Sequence, residues 1–120
     1  MKFMLLIGGS HAAWNAMSES MWKDSEATHA RIIAELQQSG EFIACEELRT
    51  KTGGARDIRA ETGTVKITDG PLDPAGNFAS GYYLVEVADL DRATEITAQL
   101  YETRFAPIEV REVGPDPEVV

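Results

Sequence analysis

The chain has 120 residues, of which 43% are hydrophobic and 26% are charged, and these proportions indicate one folded domain with a buried core. Its 20 acidic and 11 basic residues give a net charge of −9, which opposes binding to nucleic acid or to an anionic membrane, since both need dense positive charge. The single cysteine, Cys45, excludes an intrachain disulfide and a Cys-x-x-Cys metal motif.

The N-terminal half of the sequence predicts a strand, a long helix and a second strand. The apolar run Phe3–Ile7 is short and ends at two glycines, which favours a strand buried on both faces. From Glu19 to Ser39 apolar residues recur at helical spacing and Gly40 follows, which predicts an amphipathic helix. Phe42–Glu47 has the composition of a strand.

The second half begins with a predicted loop over residues 49–63 and continues with regular elements. Thr64–Thr68 alternates apolar and polar residues, which predicts a strand with one exposed face. Gly81–Val87 predicts a further strand, and Asp89 is positioned to cap a second helix. Residues 107–113 predict the last strand, so we expect one domain over residues 1–113 and a flexible tail over 114–120.

This order of elements predicts an α+β fold, a ferredoxin-like sandwich with an antiparallel sheet and two helices on one face. The first strand and the strand before the second helix would be central, and both carry apolar residues toward the uncovered face: Met4, Leu6, Tyr82 and Leu84. An exposed apolar face of this size predicts self-association, so we expect a homodimer through the sheet. No segment approaches membrane-spanning length or a secretion signal, and the expected location is the cytoplasm.

Several short motifs in this order resemble the YCII-related, or DGPF domain, family. They are the opening Lys2–Ile7, Ser39-Gly40-Glu41, Thr68-Asp69-Gly70-Pro71, Gly81-Tyr82-Tyr83 and Ile108–Arg111. The resemblance spans roughly residues 2–113. It implies a small dimeric ferredoxin-like protein from a family in which most members have no assigned activity and some are encoded near sigma factors.

The chain departs from the family pattern after the Asp-Gly-Pro turn. Where the family has Phe and then a Glu, often within a Lys-Glu pair, this chain has Leu72 and then Asp73-Pro74-Ala75-Gly76-Asn77-Phe78. The expected carboxylate is therefore missing or displaced to Asp73. The segment from Arg49 to Gly63 is also long for the family. The ligand of another family member can therefore not be assigned to this chain by analogy.

Asp69 and His29 are the candidate catalytic residues. Asp69 lies at a strand end beside a glycine, where its carboxylate is accessible and can act as a base or bind a ligand. An aspartate before Gly-Pro is also common in turns, where its side chain accepts hydrogen bonds from nearby backbone amides. His29 projects from the apolar side of the first helix with Ser25 one turn earlier. It is either a satisfied core or edge histidine or, beside a carboxylate such as Asp69, an acid or base near neutral pH.

The other candidate ligand-binding residues are Ser10, His11 and Arg111. Ser10 and His11 follow two glycines at the end of the first strand, where a loop would present them to a cleft. Arg111 can form a salt bridge with Glu86, either on the same sheet or across the dimer. Alternatively, its guanidinium group can bind the carboxylate of a ligand. We expect no cofactor and no metal, and we expect Cys45 to be a small buried hydrophobe.

The segment from Arg49 to Arg59 concentrates four of the eleven basic residues around Gly53-Gly54. It is either a solvated loop with balancing charge or a site for a small anion.

Three functions remain open from the sequence. The first is a dimer that binds a small molecule in a cleft bordered by the Asp69 turn, the loop after the first strand and the first helix. The second is an enzyme that uses Asp69 and a histidine for proton transfer or elimination. The third is a structural or regulatory partner without a ligand.

Overall fold

The computed structural model describes residues 1–49, 54–73, 76 and 78–117. Within these ranges the elements are, in chain order, β1 (Lys2–Gly9), α1 (His11–Asn15), α2 (Glu19–Ser39), β2 (Phe42–Glu47), β3 (Arg56–Glu61), β4 (Thr64–Asp69), β5 (Phe78–Glu86), α3 (Leu90–Ala98), a 3₁₀ helix (Tyr101–Arg104) and β6 (Ile108–Glu112). Among the described helices, none has the length and apolar character needed to cross a membrane.

The main sheet has the strand order β2-β5-β1-β6, and each neighbouring pair is antiparallel. The two central strands are therefore β1 and β5, as the sequence predicts. Leu5 lies opposite Tyr83 on one side and Val110 on the other, which fixes the register across three strands. This arrangement confirms an α+β fold with an antiparallel sheet and is compatible with a ferredoxin-like topology.

The core forms where alternate residues of the central strands meet residues of the two longer helices. Leu5 and Val85 have no exposed surface, and Ile32 of α2 and Ile96 of α3 join the same cluster. Burial of each large apolar side chain contributes about 1.5–3 kcal/mol relative to leaving it in water. The alternate side chains, Met4 and Leu6 among them, lie on the other sheet face and are only half-buried.

Both ends of α2 and the start of α3 match the predicted positions, because each carries a strong local signal. Ser18 caps α2 by accepting a hydrogen bond from Met21 N at 3.2 Å, and Gly40 ends it in the left-handed conformation at φ 79°. Asp89 caps α3 by accepting a hydrogen bond from Arg92 N at 2.9 Å.

The predicted loop over residues 49–63 is wrong in its second half, where β3 pairs with β4 in a separate two-stranded sheet. Thr62 and Gly63 form the connecting turn with φ values of 46° and 83°, and positive φ at both residues is the pattern of a type I′ two-residue hairpin. In β3 only Ile58 is large and apolar, so composition hides the strand. Lys51 and Gly53 of the proposed anion segment lie outside the described residues.

The β3–β4 hairpin has one apolar face that the described chain does not bury. Ile58 and Ile67 pair across the strands and are 63% and 60% exposed, and Val65 is 67% exposed. The prediction of one exposed face for β4 is therefore wrong, because every residue of this strand is exposed. The radius of gyration, 16.4 Å, exceeds the roughly 14 Å expected for a compact chain of this length. This difference agrees with a hairpin that projects from the main sheet.

A bidentate ion pair attaches α3 to the segment that follows α2. Arg92 Nε and Nη2 donate to the two carboxylate oxygens of Glu41 at 2.9 and 2.8 Å. The hydrogen bond from Arg92 is the largest of the effects that together lower the pKa of Glu41 from its ordinary value of 4.5, although partial burial opposes it. Because the folded-state pKa is below the unfolded one, this stabilisation is complete above pH 4.5 and is lost as the pH falls through the lowered value.

We therefore expect Arg92→Met to lower the free energy of unfolding by about 1 kcal/mol at pH 7 and by much less at pH 3. Urea denaturation at both pH values measures the difference. Arg31→Met, which removes an exposed pair with Glu35 on α2, is the matched control and should cost less than about 0.5 kcal/mol. An equal cost of Arg92→Met at the two pH values would contradict the assignment.

Candidate functional site

A cleft of about 1170 Å³ runs along α2 beside the sheet. Its walls come from α1, from one side of α2, from the end of β2, from the middle of β5 and from the 3₁₀ helix. This volume is enough for a ligand of drug size, and the combination of apolar walls with a few polar groups is typical of small-molecule sites.

Three polar side chains form a hydrogen-bonded chain in the wall of this cleft. His29 Nδ1 lies 2.6 Å from the hydroxyl oxygen of Tyr83, and His29 Nε2 lies 2.8 Å from Glu102 Oε2. The rings of His29 and Tyr83 are stacked, with centroids 5.7 Å apart and an angle of 24° between the planes. Tyr83 is 2% exposed and Glu102 is 9% exposed, while His29 is half-buried. The group is therefore shielded from bulk water on most sides.

The hydrogen bonds of this group are all satisfied when the Tyr83 hydroxyl is the donor to His29 and the His29 proton is on Nε2. Burial raises the pKa of Tyr83 far above its ordinary value, and the nearby Cys45 and Glu102 add to the rise, so the hydroxyl keeps its proton. Within the described residues that hydroxyl has His29 Nδ1 as its hydrogen-bond partner, and it is satisfied when it donates to this nitrogen. Nε2 then carries the ring proton and donates to Glu102 Oε2. Both nitrogens of a neutral His29 are occupied in this arrangement.

Glu102 is left with unused acceptor capacity. Its Oε1 is buried and has no hydrogen-bond partner among the described residues. A buried acceptor without a donor costs about 1–3 kcal/mol. The carboxylate of Glu102 is therefore the member of the group that is able to accept a further hydrogen bond or a proton.

Two indole rings contribute to the wall of the cleft. Trp14 of α1 contacts Trp22 of α2 with centroids 5.9 Å apart, and it meets Phe105 edge-on at 5.4 Å. Gly9 makes room for this arrangement, since a Cβ at that position would collide with the Trp14 ring. The two tryptophans, whose ring planes are tilted by 39° to each other, give the cleft an apolar aromatic wall.

The charged residues of the cleft are mostly acidic. Glu26, Glu46 and Glu47 line it together with Glu102, and Arg49 is the cation among the described lining residues. Glu26, Glu46, Glu47 and Arg49 are exposed, so they form a rim in contact with water rather than a buried cluster. Glu46 also contributes to raising the pKa of Cys45, for which burial is the larger cause.

Asp69 lies on the hairpin and does not line the cleft. Its Oδ1 is 3.4 Å from Arg56 Nε, and both side chains are more than half exposed. The next residues, Pro71 to Asp73, line a separate pocket of about 360 Å³ together with Leu48 and Phe78. Pro74, Ala75 and Asn77 of the altered motif lie outside the described residues. The structure therefore brings His29 to Glu102 and places Asp69 elsewhere.

The remaining candidate residues have local partners. Ser10 does not lie in a loop but caps α1, where its Oγ accepts a hydrogen bond from Ala13 N at 3.1 Å. His11 is the first residue of this helix, and its ring lies 5.0 Å from that of Phe78. Arg111 of β6 faces the same sheet side as Met4, and no ion pair of Arg111 is found among the described residues. Its partner in the sequence prediction, Glu86, instead contacts the N-terminus at 3.7 Å.

Glu102 is the functional candidate that the sequence does not reveal. It is 73 positions from His29 and lies in a short 3₁₀ helix that follows α3, with no motif around it. Tyr83 was predictable in part, because strand alternation places it on the core side, where a tyrosine hydroxyl needs a partner. No group of three or more His, Cys, Asp or Glu side chains suited to a metal is found in the described part of the chain.

A comparison with known protein families matches residues 1–115 to the YCII-related domain. The chain belongs to the YCII-related family. The match confirms the resemblance predicted from the short motifs and covers all the elements of this YCII-related domain from β1 to β6. A search of curated proteins gave no match. The family assignment does not specify an activity. The evidence on function therefore comes from the residues of the cleft.

Proposed function

We propose that this YCII-related protein binds a small organic molecule in the cleft along α2 and that Glu102, held by His29, exchanges a proton with it. The observation that carries the proposal is the Tyr83–His29–Glu102 chain with one unpartnered carboxylate oxygen in a cleft wall. The sequence interpretation paired a histidine with Asp69. Here the carboxylate is Glu102, and Asp69 has no part in the chemistry.

Each member of the chain has a separate role. Glu102 accepts a proton from an acidic C–H, O–H or N–H group of the bound molecule. Return of this proton to a second atom of the molecule completes a proton transfer. In an elimination the electron pair of the broken C–H bond forms a double bond while the bond to a group on the next atom breaks, and Glu102 returns the proton to that departing group. His29 donates to Oε2 and orients the carboxylate. Tyr83 donates its hydroxyl proton to His29 Nδ1 and so keeps the ring proton of His29 on Nε2. The aromatic wall positions a planar molecule against this group.

The test is proton exchange in D₂O, followed by NMR, on a panel of small planar carbon acids. We expect at least one compound to exchange faster than in buffer, and we expect Glu102→Gln to slow the exchange by about 10² or more. Tyr83→Phe should slow it by about tenfold, because the His29 tautomer is no longer fixed. Glu35→Gln, which changes an exposed glutamate of α2 outside the cleft, is the control.

An unchanged rate in Glu102→Gln would contradict the role of Glu102. Binding of a panel compound without any exchange would reduce the proposal to a binding protein. Exchange that depends on Asp69→Asn but not on Glu102→Gln would restore the interpretation drawn from the sequence.

We also propose that the two longer helices cover the same face of the main sheet and that a second copy of the chain covers the other. Residues of α2 and α3 share one cluster with Phe3, Leu5 and Val85, which supports the first part. Met4, Leu6, Tyr82 and Leu84 alternate with those core residues and remain half-buried, which supports the second part. Burial of such a face in a dimer removes apolar surface from water.

A further inference from the structure

The charge of the cleft and the unpartnered oxygen of Glu102 together restrict the class of molecule that fits. We propose that the cleft selects planar ligands that carry a positively charged nitrogen donor, with the donor on Glu102 and the ring on the tryptophan wall. This inference rests on the proposed function, since it concerns the same cleft, and it adds the class of ligand.

One oxygen of the Glu102 carboxylate lacks a hydrogen-bond donor among the described residues. The carboxylate already accepts from His29 Nε2 through Oε2, and Oε1 has neither water access nor a donor within the described residues. Glu102 lines the cleft, and the soft terminal torsion of a glutamate allows the small shift that brings Oε1 to a donor in the cleft while Oε2 keeps its bond from His29. A ligand that brings an N–H donor relieves the deficit, whereas a ligand carboxylate would add a second acceptor and a like charge.

The charges that surround the cleft are mostly negative. Four glutamates line the cleft against Arg49 among the described residues, and the chain as a whole carries a net charge of −9. The exposed rim charges act through water and are weakened by salt, but the field they produce still favours cations over anions. The small-anion site considered near Arg49 is therefore less consistent with this cleft than a cation site.

The aromatic wall of the cleft suits a ligand that is both flat and positively charged. Trp14 and Trp22 line the cleft together with His29 and Tyr83, whose rings are themselves stacked. Indole faces attract cations as well as flat rings, so a short arylalkyl amine satisfies both the aromatic and the acidic parts of the site.

The experiment compares benzylamine, benzyl alcohol and benzoate, which share the ring and differ in charge. Titration of the full chain is followed by NMR on the backbone amides of cleft residues at low salt. We expect benzylamine to bind about tenfold more tightly than benzyl alcohol and benzoate to bind most weakly. The advantage of benzylamine should shrink at high salt, because the rim charges are screened.

Variants identify the group responsible. Glu102→Gln should bring benzylamine and benzyl alcohol to within about twofold of each other, while Glu35→Gln should keep the wild-type order. If Glu102→Gln does not fold, Glu46→Gln/Glu47→Gln provides the second test and should reduce the preference for benzylamine over benzoate by about threefold.

Each outcome decides something different. Benzoate binding more tightly than benzylamine would overturn the ligand class and leave the cleft proposal intact. Equal binding of all three compounds would show that only the aromatic wall recognises them and would also overturn the inference. Binding of none of them at the cleft would overturn the inference alone, because the proposed function is decided separately by proton exchange on the panel of carbon acids.

Discussion

Replacing His29 with leucine is expected to lower the free energy of unfolding by about 3 kcal/mol, although the residue is only half-buried. The substitution removes the donor to Glu102 Oε2 and leaves a nine-tenths buried carboxylate without a partner. It also removes the acceptor for the Tyr83 hydroxyl, which has little access to water. Breaking a buried pair by removing one member costs more than the pair contributes. Urea denaturation at pH 7 measures the loss.

Two further variants separate this mechanism from a simple loss of packing. His29→Leu combined with Glu102→Met should regain most of the lost stability, because no buried charge remains. Arg31→Ala on the same helix breaks an exposed pair and should cost less than about 0.5 kcal/mol. A loss below about 1 kcal/mol for His29→Leu, or no recovery in the double variant, would show that the hydrogen-bonded chain does not hold Glu102 in place.

The second large effect is expected from Leu84→Glu on the outer face of β5. Leu84 lies next to Met4 in the sheet register, at the centre of the face proposed to meet a second copy. A buried carboxylate without a partner in that interface should weaken the dimer by at least about a hundredfold in Kd. Sedimentation velocity at micromolar concentration should give a dimer for the wild type and a monomer for the variant.

Leu90→Glu is the matched control for the dimer. Leu90 is 53% exposed at the first position of α3, outside the sheet face, so this variant should sediment like the wild type. A wild-type protein that sediments as a monomer would contradict the dimer, and a Leu84→Glu variant that stays dimeric would place the interface elsewhere.

The parts of the fold that the sequence predicts well are those with a local signal. Helix α2 ends at the residues expected because Ser18 and Gly40 are strong boundary residues, and β1 is recognised because Phe3, Leu5 and Ile7 alternate within an apolar run. Strand β3 is missed because Ile58 is its only large apolar residue. The turn gives little signal either, because a β-branched threonine is disfavoured at positive φ and only Gly63 fits the pattern of a two-residue hairpin.

The candidate site is harder to predict because its members are distant in the sequence. The position of His29 on the apolar side of α2 follows from helical spacing, and its half-buried environment agrees with that prediction. Its partner does not follow, since 73 positions separate it from Glu102 and no helix or strand period relates the two. Asp69 drew attention through a recognisable motif, yet its nearest partner is Arg56 across the hairpin. A motif of this kind identifies the family of a protein but not the residues that carry out its function.

The positions of Trp14 and Trp22 also allow ligand binding to be followed by intrinsic tryptophan fluorescence. These are the only two tryptophans in the sequence, and both line the proposed ligand cleft. All of the indole emission therefore originates at the place where a ligand would bind, with no background from indoles elsewhere in the chain. Displacing water from these rings or stacking a ligand on them changes the intensity and wavelength of that emission. Occupancy of the cleft can thus be read from the unlabelled native protein.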